Sequence, residues 1–379
     1  MAGPLEGLRV LELARILAGP WIGQTLADLG ADVIKVEAPG GDDTRGWGPP
    51  FIARDDDRSA AYFYACNRGK RSVVLDFRTA EGQDAARKLA ARSDILIENF
   101  KVGGLKKFGL DYESLRAINP RLIYCSVTGF GQDGPYAPRA GYDFIIQGMS
   151  GFMDLTGEPD REPQKIGVAL ADIITGLYGV IAIEAAVAQR ERTGMGQHID
   201  LSLLDCMTGV LANQAMNYLA SGVAPRRLGN AHPNIVPYQV FSASDGRIII
   251  ACGNDGQFAN LCATLDLALK DDTRFVTNAD RVAHRDDLIP LIEAKTRKRT
   301  RADLLAAFER AGVPAGPINS VADIFADPQI EHRQLEIAPG GVAGVRTPLS
   351  FSDATLVLDR AAPKLGEHTS EILAEIANL

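Results

Sequence analysis

The chain has 379 residues, of which 46% are hydrophobic and 23% charged, with a formal net charge of -8 and a pI near 5.3. That length exceeds what one hydrophobic core ordinarily fills and predicts two domains, while the composition argues against a disordered chain. The acidic balance excludes a broad basic footprint for nucleic acid, so any anionic ligand must be held by local basic groups or helix N-termini.

The N-terminal stretch MAGPLEGLRVLEL has no basic region followed by a long apolar one, so no signal peptide is read there. No run is read as reaching the ~20 apolar residues of a membrane span, and a cytoplasmic protein without a membrane segment is expected. Leu8 to Leu13 (LRVLEL) reads as a short strand, a turn follows at Ala18 to Pro20, and Trp21 to Gly30 reads as a helix. Val33 to Val36 is a second strand, and SVVLDF, DILIENF and LIYCSVTGF supply three more, with helical segments such as EGQDAARKLAARS between them. Strands spaced by helical patterns predict a parallel sheet with crossover helices, an α/β fold. A long helix is predicted from about Ala171 to Arg192, stopped by Gly194, and a second from about Leu203 to Ser221. The stretch VAPRRLGNAHPNIVP (Val223 to Pro237) reads as a linker. Beyond it, two β runs flank Ser-Asp-Gly as a hairpin, and helices are predicted near Phe258–Leu265, Asp286–Thr296 and Arg301–Ala311. The division expected is a large domain over 1–222, a small α+β domain over 223–325 and a C-terminal segment over 326–379.

The five cysteines show no paired spacing and read as small buried residues, and the five histidines are scattered without metal-ligand spacing, so no metal is expected. GFGQDG (Gly129 to Gly134) satisfies G-x-G-x-x-G after a strand, but Pro135 to Pro138 follow where a helix should open, and a turn is the better reading. His232 lies in a Gly/Asn/Pro loop and is a candidate site neighbour. Asp172 is a carboxylate among small apolar residues and has two readings. It is an N-cap of the long helix, or a nucleophile kept ionised by the helix N-terminus. Arg68, Lys70, Arg71, Arg78, Lys101, Lys106 and Lys107, with Phe100 and Phe108 between, read as solvated charge or as a phosphate and adenine site beside strand ends.

In their order along the chain, VLELARILAGP, LGADVIKVE, NRGKRSVVLD, DILIENF, TGFGQDGPY, AGYD, ADIITGLYG, RTGMGQHIDLSLLD and GVPAGPIN resemble the family III CoA-transferases over nearly the whole length. GDDTRGWGPPF, GVALADIITGLYG, GNAHPNIVPYQVF and GNDGQFA look like the succinyl-CoA–glutarate branch of that family. The resemblance implies an interlocked homodimer with a Rossmann-like large domain to which the C-terminal segment returns. It implies coenzyme A as acyl-CoA substrate and a dicarboxylate acceptor, with Asp172 as nucleophile. Contacts to coenzyme A carry over to Ile16, Leu75, Arg78, Asn99, Phe100, Lys107 and Phe108, and active-site neighbours to Tyr142 and Asp143. Gly253, Asn254, Asp255, Gly256 and Gln257 match a glycine-rich lid and supply candidate oxyanion donors, and Arg45 is the candidate cation for a second acid group. Ala38 and Leu17 replace a basic residue and a glutamine of the formyl-CoA branch, which puts formyl or oxalate specificity in doubt. The second reading is an α-methylacyl-CoA racemase; Tyr142 stands where that relative has histidine, and tyrosine, with a pKa of about 10, is a poor base at neutral pH. A silent CoA-binding protein is the third, and it would lack a carboxylate at position 172.

Overall fold

The computed structural model describes residues 3–269 and 271–377. Contact density separates two units: the described residues of Met1–Phe152, Lys165–Met216 and Pro328–Leu379, and those of Met153–Gln164 and Asn217–Asp327. In chain order come β1 (Arg9–Glu12), α1 (Ala18–Asp28), β2 (Asp32–Glu37), β3 (Phe51–Arg54), β4 (Asp57–Ala60), α2 (Ala61–Tyr64), β5 (Arg71–Val74), α3 (Ala80–Ala91) and β6 (Ile95–Glu98). They are followed by α4 (Tyr112–Ile118), β7 (Ile123–Thr128), α5 (Asp143–Met149), α6 (Phe152–Leu155), α7 (Leu170–Thr193), β8 (His198–Ser202), α8 (Leu203–Gly209) and α9 (Ala212–Ser221).

The first unit is built on a six-stranded parallel sheet in the order β5-β2-β1-β6-β7-β8. Five of its strands are the five apolar runs read from the sequence. The sixth, β8, was not anticipated: His198, Asp200 and Ser202 alternate with Ile199 and Leu201, the pattern of an edge strand with one covered face. Both faces of the sheet are covered. One carries Val10, Val33, Ile97 and Val127 against α1, α7 and α8; the other carries Leu11, Ile34, Val73 and Leu96 against Leu89, Leu115, Ile372 and Ile376.

The helix α7 runs from Leu170 to Thr193 and ends, as predicted, at Gly194 in the left-handed conformation (φ +74°). It corrects one expectation, because by length and composition it is long and apolar enough to cross a membrane, with a mean hydropathy of 1.7 over its most apolar window. One face packs on α1 through glycines: a Cβ at Gly176 would lie 3.0 Å from the Trp21 side chain, and one at Gly179 2.4 Å from Ile22. The opposite face leaves Leu177, Tyr178 and Ile181 exposed. The single helix predicted over 203–221 is instead α8 and α9, broken where Ala212 takes φ +47°.

In the second unit β9 (Tyr238–Ala243) and β10 (Gly246–Ala251) form the hairpin read from Ser-Asp-Gly, and β11 (Ala315–Pro317) pairs antiparallel with β10. The helices α10 (Asp255–Thr264), α11 (Asn278–Ala283), α12 (Arg285–Thr296) and α13 (Arg301–Ala311) belong to the same unit, whose core contains Phe241, Ile248, Ile250, Phe258, Leu304 and Phe308. All five cysteines are free and buried.

Candidate active site

Strand order reverses at β1. From it the sheet extends through β2 and β5 on one side and through β6, β7 and β8 on the other. Open parallel sheets bind ligands outside the carboxyl ends of the strands at such a point. The loops leaving β1 and β6 are tied together there: the Arg15 N–H donates to Asn99 Oδ1 (2.9 Å) and Asn99 Nδ2 donates to the Arg15 carbonyl (2.7 Å). A cavity of about 470 Å³ opens at these strand ends, lined by Leu13 and Arg15 after β1, Val36 and Ala38 at the end of β2, Leu75 and Arg78 after β5, and Phe100 and Phe108 after β6. The walls are apolar. The Phe77 and Phe108 rings lie 5.9 Å apart, and the Arg15 guanidinium sits 5.8 Å from the Phe100 ring. Cations stand at the edge: Arg78 is exposed and paired with Asp76 at 2.7 Å, and Lys107 Nζ lies 4.7 Å from the Phe108 ring. Leu75, Arg78, Phe100 and Phe108, far apart in sequence, therefore meet in one cavity.

Asp172 is in the first turn of α7, three residues past the N-cap position, which Ala169 occupies without a side-chain bond. The capping reading of Asp172 is thus corrected. The missing cap comes from another element: Asp143, opening α5, accepts from the Ala171 N–H at 2.8 Å, and its other oxygen accepts from Gln147 at 2.8 Å. Gln147 is fully buried and accepts in turn from the Ile166 N–H at 3.0 Å. Asp172 itself is partly buried, and among the described residues no hydrogen bond or ion pair to its carboxylate is found. Burial, and then the neighbouring Asp143 charge, push its pKa up to about 7. The helix N-terminus was expected to hold it fully ionised. That effect is worth roughly 0.3–1 kcal/mol, whereas a rise from 3.8 to about 7 corresponds to on the order of 4 kcal/mol, so burial wins. Tyr62 shares this neighbourhood, its pKa pushed up to about 12 by burial and then by Asp172. It lies in the short helix α2 and was not singled out in the sequence.

The chain between the cavity and Asp172 is the loop after β1. Leu13 and Arg15 line the cavity. Three residues later, the Ala18 carbonyl lies 3.2 Å from where a Gly176 Cβ would stand. Because α1 and α7 run side by side in the same sense, with Trp21 at Gly176 and Ile22 at Gly179, Asp172 sits one turn earlier, level with the start of α1. Ile16, halfway along this loop, has φ +72°.

Beneath the loop lies a fully buried set of charges. Lys35 bonds Glu12 (3.2 Å), Asp42 (2.9 Å) and the Ala14 carbonyl (3.0 Å), and Lys70 bonds Glu12 (2.8 Å) and the Pro20 carbonyl (2.9 Å). This corrects the reading of NRGKRS as ligand-facing cations. Arg68 is paired with Asp28, Lys70 with Glu12, and Arg71 with Asp32, Glu371 and Glu375. Arg45 as the cation for a substrate acid group is corrected too. Its Nε and Nη2 donate to Glu37 (2.8 and 2.7 Å), Nη2 also to the Pro363 carbonyl, and Nη1 to Ser59, with Asp57 at 3.6 Å and the Phe63 ring at 3.7 Å. Four of its five N–H donors are hydrogen-bonded within the fold and the side chain is buried.

Tyr142 occupies the N-cap position of α5 and is 67% exposed. A second cavity of about 240 Å³ is lined by Glu98, Ser126 and His198, with Ser126 Oγ 2.9 Å from His198 Nε2 and burial pushing the Glu98 pKa up to about 7. His232 and Gly253 to Gln257 belong to the second unit. There His232 Nδ1 accepts from the Asn234 N–H at 3.0 Å. Gly253 N–H donates to Gln257 Oε1 (2.7 Å), Gln257 N–H to Asn254 Oδ1 (2.9 Å), and Asp255 pairs with the buried Arg281 (2.7 Å). Two of the N–H groups considered as oxyanion donors, those of Gly253 and Gln257, are therefore used at the N-terminus of α10.

Residues 5–369 match the family described as CoA-transferase family III. A succinate–glutarate CoA-transferase of Agrobacterium fabrum is 58% identical over 385 residues, covering 99% of this chain and 96% of that protein. A succinyl-CoA:glutarate CoA-transferase of Mus musculus is 43% identical over 380 residues, covering 98% of this chain and 86% of that protein. The crystal structure of a CAIB/BAIF family protein from Brucella suis matches with a TM-score of 0.91 at 67% identity, covering 99% of this chain and 100% of that one.

Proposed function

The chain belongs to the family III CoA-transferases, and from that premise we propose that it moves coenzyme A from succinyl-CoA to glutarate through a covalent intermediate on Asp172. The observation that supports the covalent route is a carboxylate without a bonding partner in the first turn of α7, level with the end of the loop after β1, whose other end lines an apolar cavity at the sheet's reversal point. Coenzyme A is assigned to that cavity, with its adenine among Phe77, Phe100 and Phe108 and its phosphates toward Arg78 and Lys107.

In the first step the Asp172 carboxylate attacks the thioester carbonyl; a C–O bond forms, the C–S bond breaks, and a mixed anhydride and coenzyme A thiolate result. The thiolate attacks the aspartyl carbonyl, giving an aspartyl-CoA thioester and the free donor acid. The acceptor carboxylate attacks that thioester and the thiolate then attacks the acceptor carbonyl, which returns Asp172 as a carboxylate. One thioester and one carboxylate are present before and after, so the exchange requires no external energy source, and covalent catalysis divides one difficult transfer into smaller steps. A desolvated carboxylate is the stronger nucleophile, and a pKa of about 7 leaves about half of it ionised at neutral pH. The developing oxyanions need donors, and the N–H groups of Ala18 and Gly19, which open α1 with no capping side chain, are the proposed ones. Proton transfer of the racemase type gains no support from Tyr142, which is largely exposed.

A homodimer in the cytoplasm completes the proposal. The exposed apolar residues of α7 and of α5 (Phe144, Ile145, Met149) are the surface it would cover, and five unpaired buried thiols suit a reducing compartment. The test is to incubate the protein with succinyl-CoA and a panel of carboxylic acids, follow new thioesters by mass, and trap the intermediate with hydroxylamine before peptide mapping. Glutaryl-CoA should form, the mark should fall on Asp172, and Asp172→Ala should abolish exchange while still binding coenzyme A. Wild-type turnover with Asp172 unmodified, or an Asp172→Ala variant that exchanges normally, would end the proposal.

A further inference from the structure

The loop from Leu13 to Ala18 is held in a conformation its own sequence disfavours. Ile16 is β-branched, and its φ of +72° is a region such side chains almost never occupy. Strain of this kind persists only where the surroundings over-determine it, and here the three peptides between Ala14 and Leu17 are each bonded from outside. Lys35 takes the Ala14 carbonyl (3.0 Å), Asn99 takes both polar groups of Arg15, Asp42 accepts from the Ile16 N–H (3.3 and 3.4 Å), and the Cys66 thiol donates to the Ile16 carbonyl (3.5 Å). Lys35, Asp42 and Cys66 are buried. Asp42 is in turn fixed by Lys35 Nζ at 2.9 Å and by the Thr44 N–H and hydroxyl at 3.0 and 2.8 Å. The segment so clamped has the cavity at Leu13 and Arg15 at one end and the start of α1, level with Asp172, at the other. A thioester reaching from that cavity to Asp172 must pass along it.

We propose that Asp42, anchored by Lys35, is a positioning residue for CoA transfer: by holding the Ile16 N–H it keeps the loop left-handed at Ile16 and so sets the thioester carbonyl in line for Asp172. This rests on the transfer reading above. Without the Asp42 acceptor, Ile16 relaxes to negative φ, the peptide between Ile16 and Leu17 turns, and the route to Asp172 is displaced, while the aromatic walls that hold the coenzyme are untouched.

The test compares Asp42→Ala, Ile16→Gly and the double variant. Glycine takes positive φ without steric cost, so it should remove the need for the clamp. Single-turnover labelling of Asp172 by succinyl-CoA, read by hydroxylamine trapping, should fall about ten- to a hundredfold in Asp42→Ala, the range that relief of one strained residue spans. Binding of free coenzyme A should fall far less than labelling does, since its adenine is assigned to Phe77, Phe100 and Phe108, outside the clamped loop. Placed on the Ile16→Gly background, the same Asp42→Ala change should cost less than a third of that factor. A purely stabilising ion pair would lower Tm in both backgrounds alike and would leave the labelling ratio the same in each. Should Asp42→Ala fail to fold, Asp42→Asn is measured in its place, with an intermediate loss expected and the same rescue by Ile16→Gly. Wild-type protein that is labelled at Asp172, together with Asp42 variants labelled at the wild-type rate or not rescued by glycine, overturns this proposal alone. Wild-type protein that exchanges without label at Asp172 overturns the transfer mechanism it rests on.

Discussion

Asp172 carries its charge at a cost to the fold, and that cost has a definite pH window. Its folded pKa lies near 7, above the usual carboxylate value of 3.8. A group raised in this way contributes stability in full below its unfolded pKa and loses it as the pH rises through the folded one. Asp172→Asn, which mimics the protonated form, should therefore raise Tm by little near pH 4, by progressively more toward pH 7, and by a constant amount above it. Thermal melts across that range check it, and a difference independent of pH would contradict it. Asp143 is the second cause of the shift, after burial. Asp143→Asn keeps an oxygen for the Ala171 N–H but removes the like charge, so the acid limb of the kcat/KM profile should move to lower pH. A profile that does not move, or moves upward, would show that the two carboxylates do not interact.

At the scale of elements, the placement of Asp172 depends on how closely α7 approaches α1. Gly176 and Gly179 permit it, and at Gly179 any Cβ would come within 2.4 Å of Ile22. Overpacking of this kind costs about 1–3 kcal/mol. Gly179→Val should lower Tm and also slow Asp172 labelling, because α7 must shift outward about two turns past the nucleophile. A variant that melts lower but labels at the wild-type rate would uncouple packing from the site. The strands were legible because five of them are buried apolar runs, whereas β8 was not, since an edge strand with polar residues on alternate positions resembles a loop. The break between α8 and α9 was hidden for a related reason: Val210 and Leu211 continue an apolar pattern, and only the positive φ at Ala212 interrupts the helix.

For the molecule as a whole, the exposed faces of α5 and α7 are the surface that the proposed dimer would cover. Leu177, Tyr178 and Ile181 are 45%, 40% and 62% exposed on a helix whose opposite face is packed, and large exposed apolar patches mark interaction surfaces. Sedimentation should find a dimer, and Leu177→Glu combined with Ile181→Lys should weaken it or prevent its assembly. A wild-type chain that sediments as a monomer at micromolar concentration would remove the dimer from the proposal.

Periodicity and the order of motifs were enough to read a parallel α/β sheet, the hairpin, the long helix with its glycine stop, and one carboxylate in an apolar setting as the residue to watch. These are properties of neighbours along the chain, and local spacing encodes them. The fate of each charge could not be read that way. Arg45 read as a cation for a substrate, and Arg68, Lys70 and Arg71 as solvated charge or a phosphate site, but all are buried against Glu37, Asp28, Glu12 and Asp32. Lys35 and Asp42, which carried no signal, hold the loop that leads to Asp172. Whether a charged side chain meets water, a substrate or a buried partner depends on residues tens of positions away, and only folding brings those together.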